Sequence, residues 1–272
     1  MTQNARLDTP QMGARRFGRV NWLGLQTLIW RETRRFLAVW TQTLLAPLVT
    51  AGLLLLIFNL AVGPRRGEVM GVPFIEFIAP GILMMTVIQN AFANVSSSIV
   101  ISKVQGNIVD TLMPPLSPLE MVIGYLVGGI GRGVFVAIAI GLGLLVFLGV
   151  GVQHPFMALV FVVLGSAFLG GLGIIAGVFA NKFDQMAAIT NFIVTPLAML
   201  SGTFYSVTVL PPVLREITYF NPIFYLIDGL RYSVIGVSDS NPWAGMFICT
   251  VAVTIVSAIA FQMLRTGYRL KP

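Results

Sequence analysis

Charge is scarce in this chain: Asp, Glu, Lys and Arg together supply 10% of its 272 residues. Cysteine occurs once, as Cys249 in an apolar run, which excludes a disulfide framework or a Cys-based metal site within one chain. Histidine also occurs once, in Gln153-His154-Pro155, with no nearby Cys, Asp or Glu to complete a dyad or a metal site; a solvated turn histidine is expected. The three lysines, Lys103, Lys182 and Lys271, follow Ser, Asn and Leu, so no G-x-x-x-x-G-K-[ST] phosphate loop exists. Asp8, Glu68, Asp110, Glu120, Asp184, Glu216 and Asp239 are scattered over loops and interfaces. There are no paired acids and no nucleophile beside a base, so no catalytic residue, cofactor site or metal site is expected on this chain.

Apolar residues fill the space that charge leaves. At 56% hydrophobic and a mean hydropathy of +0.88 the composition is that of an all-α polytopic membrane protein, with no soluble domain left over. Runs of about 20 apolar residues, the length that crosses a core of about 30 Å, define the spans. They cover residues 39–62, 74–99, 121–150, 156–180, 186–203 and 243–264, the fifth being barely long enough. Residues 1–38 form a separate N-terminal segment and 39–272 the six-span domain.

The net charge of +7 does not indicate a nucleic-acid module, because the basic residues flank hydrophobic spans. Residues 1–38 hold seven Arg and no apolar core of signal-peptide type, which reads as a retained cytoplasmic segment. Placing both termini and the loops at Lys103 and Lys182 in the cytoplasm puts 12 of the 17 Lys and Arg there. Arg65, Arg66, Arg215 and Arg231 then fall outside, with Arg132 inside the third span.

Two cytoplasmic pieces have helical amphipathic spacing. Over residues 20–37, Trp22, Leu25, Ile29 and Phe36 share one face, with Thr27, Arg31, Arg34 and Arg35 on another. This predicts an interfacial helix that turns its basic side chains toward anionic lipid headgroups. Over 101–113, Ile101, Val104, Ile108 and Leu112 recur at helical spacing among Lys103, Gln105, Asn107 and Asp110, until Pro114-Pro115 stops the helix. Its apolar stripe needs a partner, either lipid or a groove on a cytoplasmic protein.

Within the spans, polar and small residues stand out. Gly129, Gly133, Ala137 and Gly141, with Gly124 and Gly128, allow close helix packing inside one subunit or between two. Arg132 lies about 18 Å along the third span from its cytoplasmic end and needs a partner, for which Glu76 is the nearest acidic candidate. It serves either a structural role, as an ion pair or a cap on backbone carbonyls, or contact with an anionic cargo or lipid. Gln89, Asn90 and Asn94 in the second span and Asn191 and Thr195 in the fifth are either interhelical hydrogen-bonding groups or, with Arg132, the lining of a mildly polar path.

After Leu200 the chain starts to leave the membrane and turns back. Ser201-Gly202-Thr203-Phe204, Leu210-Pro211-Pro212 and Asn221-Pro222 precede Asp228-Gly229-Leu230-Arg231. Non-helical backbone in lipid must be buried in protein or line a cavity, so this segment suggests a pathway. Asp228 and Arg231, three apart, are expected to pair on one helical face.

These blocks, together with Phe77-Ile78-Ala79-Pro80-Gly81-Ile82 and the loop from Leu112-Met113-Pro114-Pro115 to Glu120, resemble the type 2 permease subunits of ABC exporters over nearly the whole chain. The resemblance implies a six-span bacterial inner-membrane permease, working as a dimer with two ATP-hydrolysing subunits that carry the ATP and Mg. The exported cargo would be a sugar, drug or lipid. It makes 101–113 a coupling helix seated in an ATPase groove, with Ile101, Lys103, Val104, Ile108, Asp110 and Leu112 as its contact set. It makes 203–235 a re-entrant external element bent at Ser201-Gly202 and Pro211-Pro212, with Phe204 and Tyr205 near an outer gate. The competing reading, a secondary transporter or channel run by an ion gradient, would need several deep charges and an internal repeat; only Arg132 is deep.

Overall fold

The computed structural model describes residues 20–269. Arg6, Arg15, Arg16 and Arg19 of the basic N-terminal segment, and Lys271, lie outside the described residues. Among the described residues six helices are long and apolar enough to cross a membrane.

Helix α1 (Trp22–Ala38) starts at Asn21, whose side chain accepts the Gly24 N–H at 3.0 Å, and ends at Val39. There the chain bends into α2 (Trp40–Ala61), the first span. The single turn α3 (Gly63–Arg66) and a hairpin, β1 (Glu68–Val69) with β2 (Val72–Pro73), lead into α4 (Phe74–Val104). A short α5 (Ile108–Leu112) precedes α6 (Pro118–Leu148), and α7 (Pro155–Phe179) follows. The fifth span, Phe183–Thr203, is α8 (Phe183–Ile189), a π-helical turn, α9 (Thr195–Ala198) and a second π-helical turn. Helices α10 (Pro212–Phe220) and α11 (Pro222–Ile235) fold back before α12 (Pro242–Thr266), the sixth span.

The span that the sequence ends at residue 99 runs on to Val104, and the third begins at Pro118. At 31 residues each, α4 and α6 measure about 46 Å, some 16 Å more than a hydrocarbon core. The residues beyond the expected runs, 100–104 of α4 and 118–120 of α6, lie on the side that also holds α1 and α5. Apolar periodicity cannot register this overhang, because buried residues continue along α4 as Val95, Ile99 and Val100.

Helix α1 covers the overhang. Its inner stripe is Leu25, Leu28, Glu32 and Phe36, whereas Trp22 is 66% exposed and Ile29 half-buried. The expected face is therefore rotated, and its centre carries a carboxylate. Small residues on α6 admit this stripe: a Cβ at Gly124 would lie 2.4 Å from Leu28 Cδ2, and one at Gly128 2.6 Å from Glu32 Cβ. Gly129 and Gly133 face the other way, toward Val95 and Ser166, while Gly141 meets nothing within 4 Å. The small residues of α6 thus serve two different contacts.

The expected continuous helix over 101–113 is broken. Gly106 takes φ +74, a left-handed conformation, so Ile101 and Val104 end α4 while Ile108 and Leu112 belong to α5.

Candidate functional site

Two buried polar networks stand at opposite ends of the bundle. On the hairpin side, Arg231 of α11 is fully buried. Its Nη2 donates to Gly202 O at 2.5 Å and its Nε to Phe77 O at 3.3 Å, with the guanidinium carbon 4.0 Å from the centre of the Phe77 ring. Nη1 lies 3.5 Å from Asp228 Oδ1 and 3.9 Å from Asp239 Oδ2. The expected pair of Asp228 and Arg231 is therefore present, within a larger set.

Asp228 accepts the backbone N–H of Asp239 at 2.8 Å, that of Ser240 at 2.9 Å and the Ser240 hydroxyl at 2.6 Å. Asp239 accepts from Ser206 Oγ and from Val207 N at 3.2 Å. A buried cation is tolerated only when paired and hydrogen-bonded, and this one ties together α4, the end of the fifth span and the loop after α11.

The break that Arg231 grips is made by Gly202, with φ +77, where an added Cβ would lie 3.3 Å from Val207 Cγ2. Ser201 Oγ donates to Leu197 O at 2.5 Å and accepts from Asn221 Nδ2 at 2.8 Å. Phe204 stacks on Phe58 of α2, ring centres 4.9 Å apart, so it packs against the first span. Tyr205 is half-buried and donates to Leu200 O at 2.7 Å. Pro211 and Pro212 start α10, an exposed amphipathic helix whose Val213, Ile217 and Phe220 have no cover.

The second network lies on the α1 side. Glu32 is 1% exposed. It meets Arg31 at 3.0 Å and Arg35 at 3.2 Å, and accepts from Ser98 Oγ of α4 at 2.8 Å. Arg31 Nη1 donates to Thr111 Oγ1 of α5 at 2.8 Å. Burial works against the Arg31 charge, yet the neighbouring Tyr125 and Glu32 favour it more, and its pKa stands above the ordinary arginine value. Arg35 donates to Ser97 Oγ at 3.0 Å, to Asn94 Oδ1 at 3.0 Å and to Asn94 O. Glu120 accepts from Asn21 N and Ser117 N, both at 2.6 Å, fastening the start of α1 to the start of α6.

Glu32 lies hidden in sequence among Arg31, Arg34 and Arg35, inside a segment read for its positive charge. Its signal is positional: it shares the spacing of Leu25, Leu28 and Phe36, and a carboxylate inside an apolar stripe must find partners.

The expected polar path is only partly assembled. Asn90 accepts from Arg132 Nη2 at 3.0 Å, Gln89 donates to Thr195 Oγ1 at 3.3 Å, and Asn94 serves Arg35. Asn191 is exposed on the outer surface of the fifth span. Glu76 is not the partner of Arg132: it sits in the first turn of α4, about 21 Å along the helix from Asn90, lining a pocket with Val72, Gly149 and Gln153. Arg132 itself lies on the side of α6 that meets α1. It neighbours Gly131, which faces Phe36 near the bend into the first span.

Of the contact set expected around 101–113, Lys103 turns inward and donates to Val178 O and Ala180 O, both at 2.8 Å, at the end of α7. Ile101 is half-buried in the last turn of α4, and Ile108 packs against the Val95 and Ile99 cluster. Val104 and Asp110 are exposed, and Leu112 closes α5. His154 precedes α7 and stacks on Tyr232, ring centres 5.4 Å apart. No group of three His, Cys, Asp or Glu able to hold a metal occurs among the described residues.

Among the described residues six apolar helices, with a buried ionic network at each end of the bundle, define a polytopic membrane protein. The sequence model of the ABC-2 type transporter family matches residues 24–235, and the chain belongs to this family. The inner membrane transport permease YadH of Escherichia coli (strain K12) is 36% identical over 243 residues, 89% of this chain and 93% of that protein. Nodulation protein J of Rhizobium leguminosarum bv. viciae is 24% identical over 261 residues, 91% and 95% of the two chains. The chain is thus a multi-pass inner-membrane permease subunit of an ABC transporter, and ATP hydrolysis resides on separate ABC ATPase subunits.

Proposed function

We propose that this permease works as an exporter, moving an amphipathic cargo such as a lipid-linked saccharide, drug or lipid outward. In this reading two copies of the chain, as a homodimer, join two ATPase subunits that bind the ATP and Mg. Both termini and the α1 side face the cytoplasm, in keeping with the positive flank of the first span. Helix α1 lies against the membrane interface with Trp22 and Trp30 toward lipid. The turn from Gln105 to Met113 meets the ATPase, and the segment 203–235 acts as the re-entrant external element.

The observation that carries this reading is the hydrogen bond from Arg31 to Thr111, continued through Glu32 to Ser98. A push on α5 from below would travel into α1 and the last two turns of α4 through these contacts. Gln89 and Thr195 join α4 to the fifth span, whose two π-helical turns and Gly202 give it room to bend.

The test is reconstitution of the chain with its ATPase in lipid vesicles and a screen for molecules that stimulate ATP hydrolysis. Stimulation by an amphipathic molecule that also accumulates across the bilayer supports the exporter. Transport that follows an ion gradient without ATP overturns it.

A further inference from the structure

Three N–H groups in one locus lack an acceptor among the described residues: Arg35 Nε, Asn94 Nδ2 and Arg132 Nε. Asn94 is 1% exposed, so its amide cannot turn to water for a partner. Asn90 and Asn94 lie one turn apart on the same face of α4, and each gives its amide oxygen to one guanidinium, Asn90 to Arg132 and Asn94 to Arg35. The two cations therefore stand about one helical turn apart, roughly 6 Å along α4. Both amide oxygens are engaged; Asn90 Nδ2 donates to Thr86 O at 3.0 Å, whereas Asn94 Nδ2 and the two arginine Nε groups are left over.

The charge is unbalanced in the same direction. Glu32 is the carboxylate of the locus, shared between Arg31 and Arg35, and Arg132 has no ion pair among the described residues. Three cations thus face one anion at the membrane boundary. An unpaired Arg just inside hydrocarbon is unfavourable, and the missing component is an anion rich in acceptor oxygens. A phosphate group fits this need, because guanidinium groups match its oxygens in pairs and their planar donors are fixed in direction. Arg132 neighbours Gly131, which faces Phe36 beside the bend from α1 into the first span, where so long a side chain can reach headgroup phosphates.

We infer that Arg35, Asn94 and Arg132 form a phosphate-binding site between α1, α4 and α6 that takes the phosphate ester of a membrane lipid at the headgroup level. Its chemistry is independent of the direction of transport and of the cargo. A phosphate could also arrive free or on a transported molecule, and the experiment separates these sources.

The purified full chain, stripped of lipid in detergent, is titrated with dioleoyl phosphatidylglycerol, with dioleoylglycerol and with inorganic phosphate, and adducts are counted by native mass spectrometry. Phosphatidylglycerol should be retained and dioleoylglycerol not. Arg132→Gln should weaken the first phosphatidylglycerol adduct about tenfold or more, the loss of one charge-assisted contact, and Arg132→Lys should recover part of it. Displacement of the lipid by inorganic phosphate would support a site that reads phosphate from any source; failure to displace it would support the lipid ester as the ligand. If thermal unfolding shows Arg132→Gln misfolded, Asn94→Ala carries the comparison. Equal retention of the two lipids, or undiminished phosphatidylglycerol binding in the folded variants, overturns the site.

Discussion

Glu32 of α1 accepts a hydrogen bond from Ser98 of α4 at 2.8 Å, across 66 residues of sequence, while two arginines of its own helix hold its other lone pairs. The N-terminal helix is therefore bolted to the most enclosed span of the bundle by a buried carboxylate.

Replacing Glu32 with Ala should leave Ser98 and two arginines without their acceptor. Because Arg31 and Arg35 are 42% and 28% exposed at their side chains, water recovers part of the loss, and a destabilisation of about 1–3 kcal/mol is expected. Thermal unfolding of the detergent-solubilised protein measures it. ATP hydrolysis by the assembled transporter should continue with transport diminished.

Arg231 is a harsher case. Its removal as Arg231→Met strips a donor from Gly202 O and Phe77 O and leaves Asp228 and Asp239 beside each other without a cation. A loss of about 3–5 kcal/mol is expected. Arg231→Lys should not restore stability, because one ammonium cannot reach both carbonyls in the directions of a guanidinium fork. Unfolding midpoints of the two variants decide this.

Gly202→Val places a β-branched side chain at φ +77 and within 3.3 Å of Val207. The left-handed backbone alone costs about 1–2 kcal/mol. The variant should bind the ATPase normally, measured by co-purification, and fail to export. Unimpaired export would make the break mere packing.

Lys103 separates two accounts of the loop after α4. Because its ammonium caps the end of α7 through Val178 O and Ala180 O, Lys103→Met should lower stability by about 1 kcal/mol and leave ATPase affinity unchanged. A selective loss of ATPase binding would instead make Lys103 a direct contact.

The spans were legible because apolar length is a property of single segments: the run from Trp40 to Ala61 needs no neighbour to be recognised. So was the pairing of Asp228 with Arg231, which spacing on one helix decides. What spacing could not supply were relationships across segments. Phe77 O as an acceptor for Arg231 depends on how α4 and α11 pack. The partner of Arg132 is Asn90, not Glu76, since depth along a 31-residue helix is set by what flanks it. Gly106 lay in plain view among the helical spacing of Ile101 to Leu112, and its φ of +74 breaks that helix although the apolar period runs through it.

In the proposed function ATP hydrolysis on the partner drives export through α5. The most direct measurement follows hydrolysis and cargo movement together in vesicles holding the permease and its ATPase, for the unaltered chain and for Ile108→Asp. A charge placed at this half-buried position should leave the ATPase bound and hydrolysing while cargo movement stops. Full transport by Ile108→Asp with the ATPase still bound would contradict it.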